Sequence, residues 1–274
     1  MSNQKLDIAN KIKEFESKGL FDQDIFVDPP TRELKPGEVD YKYQRFSTKI
    51  AAKLANFIAK CYFDGLIRKH QLIIKEAKGI RNFRAINHMG AIITCNHFHP
   101  FDNYAVYKAI EKQLGKRRLY KVIREGNYTN FPGLYGYFFK HCNTLPLSSN
   151  IGVMKEFYSG VKYHLENGEK ILIYPEQALW PNYKKPRPLK PGAFSFAVSN
   201  QVPVLPMFIT FNDSEYLDKE NNKVQEYTVH ILEPVFPEEH VSYAENVKRM
   251  SEKVFNLMKE KYEEVYQIPL KYEE

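Results

Sequence analysis

Apolar and polar positions alternate with two different periods along most of this chain. From about residue 71, short apolar runs bounded by turn residues have the length and composition of buried strands. These runs are AIITC (91–95), LYKVI (119–123), TLPL (144–147), KILIYP (170–175), VPVLPMFITF (202–211) and EYTVHILEPV (226–235). Strands that alternate with helical segments predict an α/β domain, with a mostly parallel mixed sheet flanked by helices.

The segments between and after these runs have helical periodicity. They are NYAVYKAIEKQL (103–114), NIGVMKEFYSGVKYHLENG (150–168), PGAFSFAVSN (191–200) and a C-terminal stretch that starts at Ser242. In the last of these, Ser242 and Glu245 form a capping-box pattern ahead of an apolar stripe. We predict that residues 240–274 form a helix packed on an α/β domain of residues 71–239.

The first 70 residues lack this alternation of short apolar runs and helical segments. Residues 1–43 combine a short charged helical pattern with FDQDIFVDPPTRELKPGEVDY, whose prolines and acids indicate an extended arm. Residues 44–70 predict an amphipathic helix, because Ile50, Leu54 and Phe57 fall at helical spacing while lysines occupy another face. Such a helix either packs its apolar face on the domain or inserts it into a membrane surface.

Composition limits the partners and the compartment. The 274 residues carry a formal net charge of +7, which favours an anionic partner without choosing among nucleic acid, phosphorylated substrate and lipid surface. The 3 cysteines include no CxxC pair, so a disulfide framework or zinc ribbon is not indicated and a reducing cytosol fits best. The sequence has neither a secretory signal nor an uncharged apolar run long enough to span a bilayer.

The stretch NHFHPFD (96–102) carries the strongest candidate chemistry. It directly follows a predicted strand and precedes a helix, at the edge where open α/β sheets build their sites. His97 could act as a general base there, with the carboxylate of Asp102 fixing its tautomer. The histidines at 97 and 99 could instead hold a metal ion, as in metal-dependent hydrolases. The spacing alone also fits an ordinary polar loop.

Two further segments favour the acid–base interpretation, because together with this stretch they resemble one family. NHFHPFD is similar to the NHx4D block of the glycerolipid acyltransferases, the family of the lysophosphatidate acyltransferases. YPEQALW (174–180) sits where that family has an FPEGTR block, and LKPGAFSFAVSNQVPVLPMFI (189–209) resembles its last block. The match covers about residues 45–235.

The resemblance implies a glycerol-3-phosphate acyltransferase-like fold and a direct acyl transfer. His97, oriented by Asp102, would take the proton of an acceptor hydroxyl that attacks an acyl-CoA or acyl-carrier-protein thioester. It implies no cofactor and no metal. Asn96 is expected to hold the turn and, with Glu176, to contribute to substrate binding. Glu176 is expected to orient the acceptor or the loop, and Phe98 with residues 171–174 and 202–209 to line an acyl groove. His99 is expected to be a solvated loop residue.

The sequence departs from the family at its phosphate-reading arginines. Ser148 and Ser149 stand near one expected arginine, and Gln177, Ala178 and Leu179 replace the Gly-Thr-Arg of the other. We predict that other groups hold the acceptor phosphate: the N-terminus of the helix after Ser148 and Ser149, and the cations Arg124, Lys184, Lys185, Arg187 and Lys190, with Lys121 as a further cation close to Arg124. The predicted acceptor is then 1-acyl-glycerol-3-phosphate, in phospholipid biosynthesis.

Alternatives remain at this point. The acceptor could lack a phosphomonoester, the protein could bind lipid without catalysis, or, least favoured, it could be a metal-dependent hydrolase. No nucleic-acid module is recognisable. A long-chain acceptor lives in a bilayer, so we predict a cytoplasmic protein bound peripherally to an anionic membrane surface, the inner face of the cell membrane.

Overall fold

The computed structural model describes residues 3–26 and 31–273, and positions 27–30 of the predicted extended arm lie outside the described residues. In chain order the elements are α1 (Asn3–Ser17), α2 (Phe46–Arg68), β1 (Ile73–Lys78), α3 (Ile80–Ile86), β2 (Ala91–Thr94), α4 (Asp102–Leu114), β3 (Leu119–Arg124), α5 (Glu125–Thr129), α6 (Gly133–His141), β4 (Thr144–Leu147), α7 (Ile151–Glu166), β5 (Lys170–Ile173), α8 (Gly192–Ser199), β6 (Val204–Leu217), β7 (Lys223–Ile231) and α9 (Tyr243–Tyr266).

The strands of the described residues form a seven-stranded sheet in the order β1-β7-β6-β2-β5-β3-β4. From β6 to β4 all neighbours are parallel, whereas β7 runs antiparallel to β6 and β1 runs parallel to β7. Every segment predicted as a strand is a strand, so the predicted mostly parallel mixed sheet is confirmed. Strand β1 was not predicted, because its sequence IIKEAK has only two leading apolar residues and its outer part is exposed at the sheet edge.

Helices cover both faces of the sheet. On one face, Phe157 of α7, Phe194 of α8 and Met250 of α9 belong to one buried cluster. On the other face, a second cluster includes Phe63 of α2 and Ile110 of α4, together with residues of α3 and α6. Because helices bury both faces of this parallel sheet, its strands have continuous apolar runs in the sequence.

The N-terminal segment reaches across the chain to the loop that follows β5. Ile12 and Ile25 pack with Ala178 and Trp180 in a small separate core. The Trp180 indole donates a hydrogen bond to the carbonyl oxygen of Gln23 at 2.9 Å. This contact brings residues 20–26 to the carboxyl edge of the parallel strands, where the site lies. In the part of the chain that the structure describes, no helix is both long enough and apolar enough to cross a membrane.

Candidate active site

A histidine in the loop after β2 is joined to a buried aspartate, Asp102, the first residue of α4. The Nδ1 atom of His97 lies 2.7 Å from Oδ2 of Asp102, which has no solvent exposure. The same oxygen accepts the backbone N–H groups of Phe98 and His99 at 3.1 and 3.3 Å. A carboxylate that accepts these donors holds the proton of His97 on Nδ1 and leaves Nε2 unprotonated. The half-buried His97 ring therefore has the form of a general base.

Tyr174, the first residue after β5, completes this arrangement. Its hydroxyl donates to the second oxygen of Asp102 at 2.5 Å, and its ring stacks on His97 with centroids 4.0 Å apart. Burial and the neighbouring Asp102 charge raise the pKa of Tyr174 far above its usual value, so the hydroxyl remains a donor. Sequence analysis missed this role. The available signal was its position, since β5 is the neighbour of β2 and both strands end at the same edge.

Asn96 fixes the loop to the next strand. Its side-chain nitrogen donates to the carbonyl oxygen of Ile209 at 3.0 Å, and its side-chain oxygen accepts the Ile209 N–H at 2.8 Å. Asn96 is buried, and both ends of its amide are used within the protein. We therefore assign it a positioning role rather than the substrate contact included among the predicted site residues.

Glu176 and Arg187 form a buried ion pair behind the loop. Their closest atoms lie 2.7 Å apart, and the two side chains are 2% and 1% exposed. Glu176 also accepts the backbone N–H of His97 at 3.1 Å, and Arg187 donates to the carbonyl oxygen of Phe21 at 2.9 Å. The prediction that Arg187 binds an acceptor phosphate is corrected here, because its guanidinium is enclosed and occupied. The pair instead supports the backbone that carries His97.

Two other predicted phosphate ligands lie away from the substrate side of the loop. Lys185 pairs with the buried carboxylate of Glu16 at 2.5 Å. The Lys184 ammonium lies over the rings of Phe211 and Tyr266, 5.6 and 5.0 Å from their centroids. Both lysines therefore hold the N-terminal and C-terminal segments against the domain, and their predicted contact with substrate is corrected.

The remaining two cations stand at the cavity beside His97 and face aspartates of the N-terminal segment. Arg124, at the end of β3, holds both carboxylate oxygens of Asp24 at 2.5 and 2.8 Å. Lys190 pairs with Asp22 at 2.7 Å, and this interaction lowers the pKa of the Asp22 carboxyl. Both cations contribute to the cavity lining. The charge predicted for this edge is therefore present but already balanced.

The predicted phosphate site at the start of α7 is also occupied from within. Ser148 is buried and donates to Glu125 at 2.7 Å. The side chain of Asn150 caps α7 by accepting the N–H groups of Gly152 and Val153. Ser149 is exposed. Because the capping amide uses the N–H groups of the second and third helical residues, these two donors are not offered to a ligand.

A large cavity extends from His97 along β3. It has a volume of about 1340 Å³ and is bounded by parts of α2, α4 and α6. Its wall is largely apolar and includes Phe63, Tyr104, Phe131, Phe138, Ile173 and Tyr174. Ile173 and Tyr174 were predicted to line a groove, and they do. Phe98 does not, since it is buried and stacked on Phe211 with centroids 4.4 Å apart, and strand β6 lies outside the lining.

His99 does not join a metal site. It is half-buried, its Nδ1 accepts the Phe101 N–H at 3.1 Å, and burial lowers its pKa. It is therefore not the solvated residue that the sequence suggested. Within residues 3–26 and 31–273, no three His, Cys, Asp or Glu side chains are grouped to hold a metal ion. The donor set of a metallohydrolase is absent from this part of the chain.

Comparison with known proteins agrees with this geometry. A family model described as Acyltransferase matches residues 76–210, which include His97, Asp102, Tyr174 and Glu176. The fold is similar to that of the 1-acyl-sn-glycerophosphate (LPA) acyltransferase PlsC from Thermotoga maritima, with a TM-score of 0.51, 21% sequence identity and coverage of 82% of this chain and 83% of that one. No curated protein matches the sequence. Through the domain that holds the His97–Asp102 pair, this chain belongs to the acyltransferase family.

Proposed function

We propose that the protein transfers a fatty acyl group from a CoA or acyl-carrier-protein thioester to a hydroxyl of a lysophospholipid-type acceptor. One observation carries the proposal. A histidine whose Nδ1 proton is held by a buried aspartate stands at a long apolar cavity. A general base next to a chain-sized cavity is what direct acyl transfer requires.

The chemistry is assigned to these residues as follows. Nε2 of His97 accepts the proton of the acceptor hydroxyl while its oxygen attacks the thioester carbonyl. The new C–O bond forms, the C–S bond breaks, and the imidazolium returns its proton to the leaving thiolate. Asp102 stabilises the imidazolium between these events, and Tyr174 and two backbone N–H groups hold Asp102 in place.

The acyl chain is assigned to the cavity along β3. Ligand sites of drug-sized molecules usually measure about 300–1,000 Å³, so a volume of about 1340 Å³ leaves room for a long chain and part of the acceptor. Burial of a chain in this apolar wall contributes roughly 0.8 kcal/mol per methylene.

The identity of the acceptor is the more specific part of the proposal. With 1-acyl-glycerol-3-phosphate, the phosphate would approach Arg124 and Lys190 and the enzyme would act in phospholipid biosynthesis. A second candidate, an acceptor without a phosphomonoester, is favoured by a specific observation. Asp24 and Asp22 already balance these two cations, and a phosphate dianion would have to displace or approach both carboxylates.

We also propose contact with an anionic membrane surface, the inner face of the cell membrane. Helix α2 exposes Phe46, Ile50, Leu54 and Phe57 in one stripe, so this face does not pack on the domain core. Lys49 and Lys53 lie beside the stripe and, with Ile50, line the cavity. An amphipathic helix of this kind binds at the headgroup boundary. Flotation with anionic and neutral vesicles tests the contact, and no binding to either would exclude it.

The first experiment compares wild type with His97→Ala, using His88→Ala as a control at an exposed histidine outside the site. Each protein receives acyl-CoA and acyl-carrier-protein donors with a panel of acceptors, and products are identified by mass spectrometry. Transfer that requires His97 but not His88 supports the proposal. Transfer that is indifferent to His97 removes its catalytic role, and lipid binding without transfer would identify a binding protein.

Asp24→Asn separates the two acceptor classes. The substitution removes one negative charge that faces Arg124. If the acceptor is lysophosphatidate, its KM should fall in this variant while the KM for a neutral monoacylglycerol stays constant. An unchanged KM for lysophosphatidate, together with efficient use of the neutral acceptor, would support the second candidate.

A further inference from the structure

One lysine of the cavity wall has no evident role in the proposed chemistry. Lys121 lies on β3, where its backbone N–H donates to the carbonyl oxygen of Asn143 at 2.9 Å. It is in register with Leu172 of β5, which pairs in turn with Ile93 of β2, four residues before His97. Two strand spacings place it about 10 Å across the sheet from β2. Lys121 therefore lines the cavity about two strand spacings away from the strand that leads to His97.

The surroundings of the Lys121 ammonium do not balance its charge. With the residues that the structure describes, it makes no hydrogen bond and no ion pair, and burial lowers its pKa. The nearby thiol of Cys142 is a poor partner, because burial raises its pKa to about 11. By contrast, Lys60 on the same cavity is paired with Glu111. The Lys121 side chain is only partly enclosed because it faces the cavity, and an ammonium there without a partner among the described residues favours a ligand that supplies an acceptor.

Other polar groups lie on the same part of the wall. Asn143 and Cys142 immediately precede β4, which pairs with β3 beside Lys121. The side chain of Asn56, from α2, donates to the side-chain oxygen of Asn143 at 3.2 Å. All four of these residues line the cavity. They form a polar patch, residues 56, 121, 142 and 143, in a wall that is otherwise largely apolar.

We propose that Lys121 and this polar patch select an acyl chain that carries an oxygen, such as a hydroxyl group, near its middle. This inference rests on the proposed function, because it takes the cavity as the acyl site. An unsubstituted chain would cover the ammonium with methylene groups and leave its donors unsatisfied. A mid-chain oxygen accepts a hydrogen bond from it beside a largely apolar wall, where such bonds are stronger than in water.

The test measures binding before turnover. Wild type, Lys121→Met and the control Lys112→Met, an exposed position on α4, are titrated with stearate and with its analogue hydroxylated in the middle of the chain. Wild type and the control should prefer the hydroxylated chain by about tenfold or more, the usual value of a hydrogen bond to a charged group. Lys121→Met should lose this preference and bind stearate more tightly than wild type does.

The outcomes separate this inference from the proposed function. Equal binding of both chains by wild type overturns the inference, whatever the transfer activity. A Lys121-dependent preference without acyl transfer to any acceptor supports the polar patch and rejects the proposed function. Lys121→Arg, which keeps a cation, should retain part of the preference, and it serves as the second variant if Lys121→Met does not fold. Lys121→Met should also have the higher Tm, because it removes from a largely apolar wall a charge that has no partner among the described residues.

Discussion

Asp102→Asn gives the sharpest test of the catalytic geometry, because the substitution should change charge with little change in shape. One oxygen of Asp102 accepts from His97, Phe98 and His99, and the other accepts from the Tyr174 hydroxyl. An asparagine can keep its oxygen on the first side and turn its NH₂ group toward Tyr174, whose hydroxyl can rotate to accept. We therefore expect the variant to fold.

The expected loss lies in the rate of the chemical step. Without the carboxylate, the imidazolium formed at His97 has no negative partner, and Asp102 is fully buried, so water does not replace that charge. General-base contributions are about 10²–10⁴-fold, and removal of the carboxylate from another His–carboxylate pair costs about 10⁴ in kcat. We expect kcat to fall by about 10³–10⁴, equivalent to roughly 4–5.5 kcal/mol in the barrier, with KM little changed.

The assay is initial-rate acyl transfer at saturating donor and acceptor, with thermal unfolding measured on the same samples. Tyr174→Phe is a milder variant for comparison with Asp102→Asn, because it keeps the ring stacked on His97 and removes one hydrogen bond to Asp102. That variant should lose about tenfold in kcat, the scale of one hydrogen bond to a charged group. A folded Asp102→Asn protein with kcat within about tenfold of wild type would refute the reasoning.

Three further predictions concern stability and chain length. Glu176→Gln leaves Arg187 buried without its counter-charge and should destabilise the protein by about 3–5 kcal/mol in urea unfolding, while adding Arg187→Met should restore much of the loss. Burial lowers the pKa of His164 from 6.5 to about 4. Between pH 6.5 and 4, the His164 side chain is therefore protonated more in the unfolded chain than in the folded one. Tm should fall as pH drops from 6.5 to 4, and less steeply in His164→Gln. Leu119→Trp enlarges a side chain of the cavity wall at the start of β3 and should shorten the longest acyl chain used, as measured with a donor series; an unchanged chain-length profile would place the chain elsewhere.

The fold was largely predictable because burial on both faces gives each parallel strand an unbroken apolar run. The limit of this signal is visible at β1, an edge strand whose residues after Ile74 are charged or small and exposed. Its pairing with β7 comes from tertiary position rather than from local pattern. The extension of β6 to Leu217 was missed for the same reason, since the outer part of that hairpin lies beyond the core.

The site was only partly predictable. The close pair, His97 and Asp102, could be found because both lie in one loop. Asp22 and Asp24 could not be connected with Lys190 and Arg124, since these ion pairs close over 100 residues or more of chain. The sequence shows which segment carries a cation, but the tertiary fold determines which carboxylate neutralises that cation. This is why the basic run 184–190 indicated a phosphate site that the structure does not assemble.

The positions of the cavity cations suggest where this protein places its substrate discrimination. Beside His97, Arg124 and Lys190 are balanced by aspartates of the N-terminal segment. An acceptor phosphate would therefore have to compete with these two carboxylates for both cations. Along β3, Lys121 has no such competitor among the described residues, and a ligand oxygen beside it would gain a hydrogen bond next to a largely apolar wall. Under the proposed function, we therefore expect Arg124 and Lys190 to contribute little to the selection of the acceptor and Lys121 to contribute to the selection of the acyl donor.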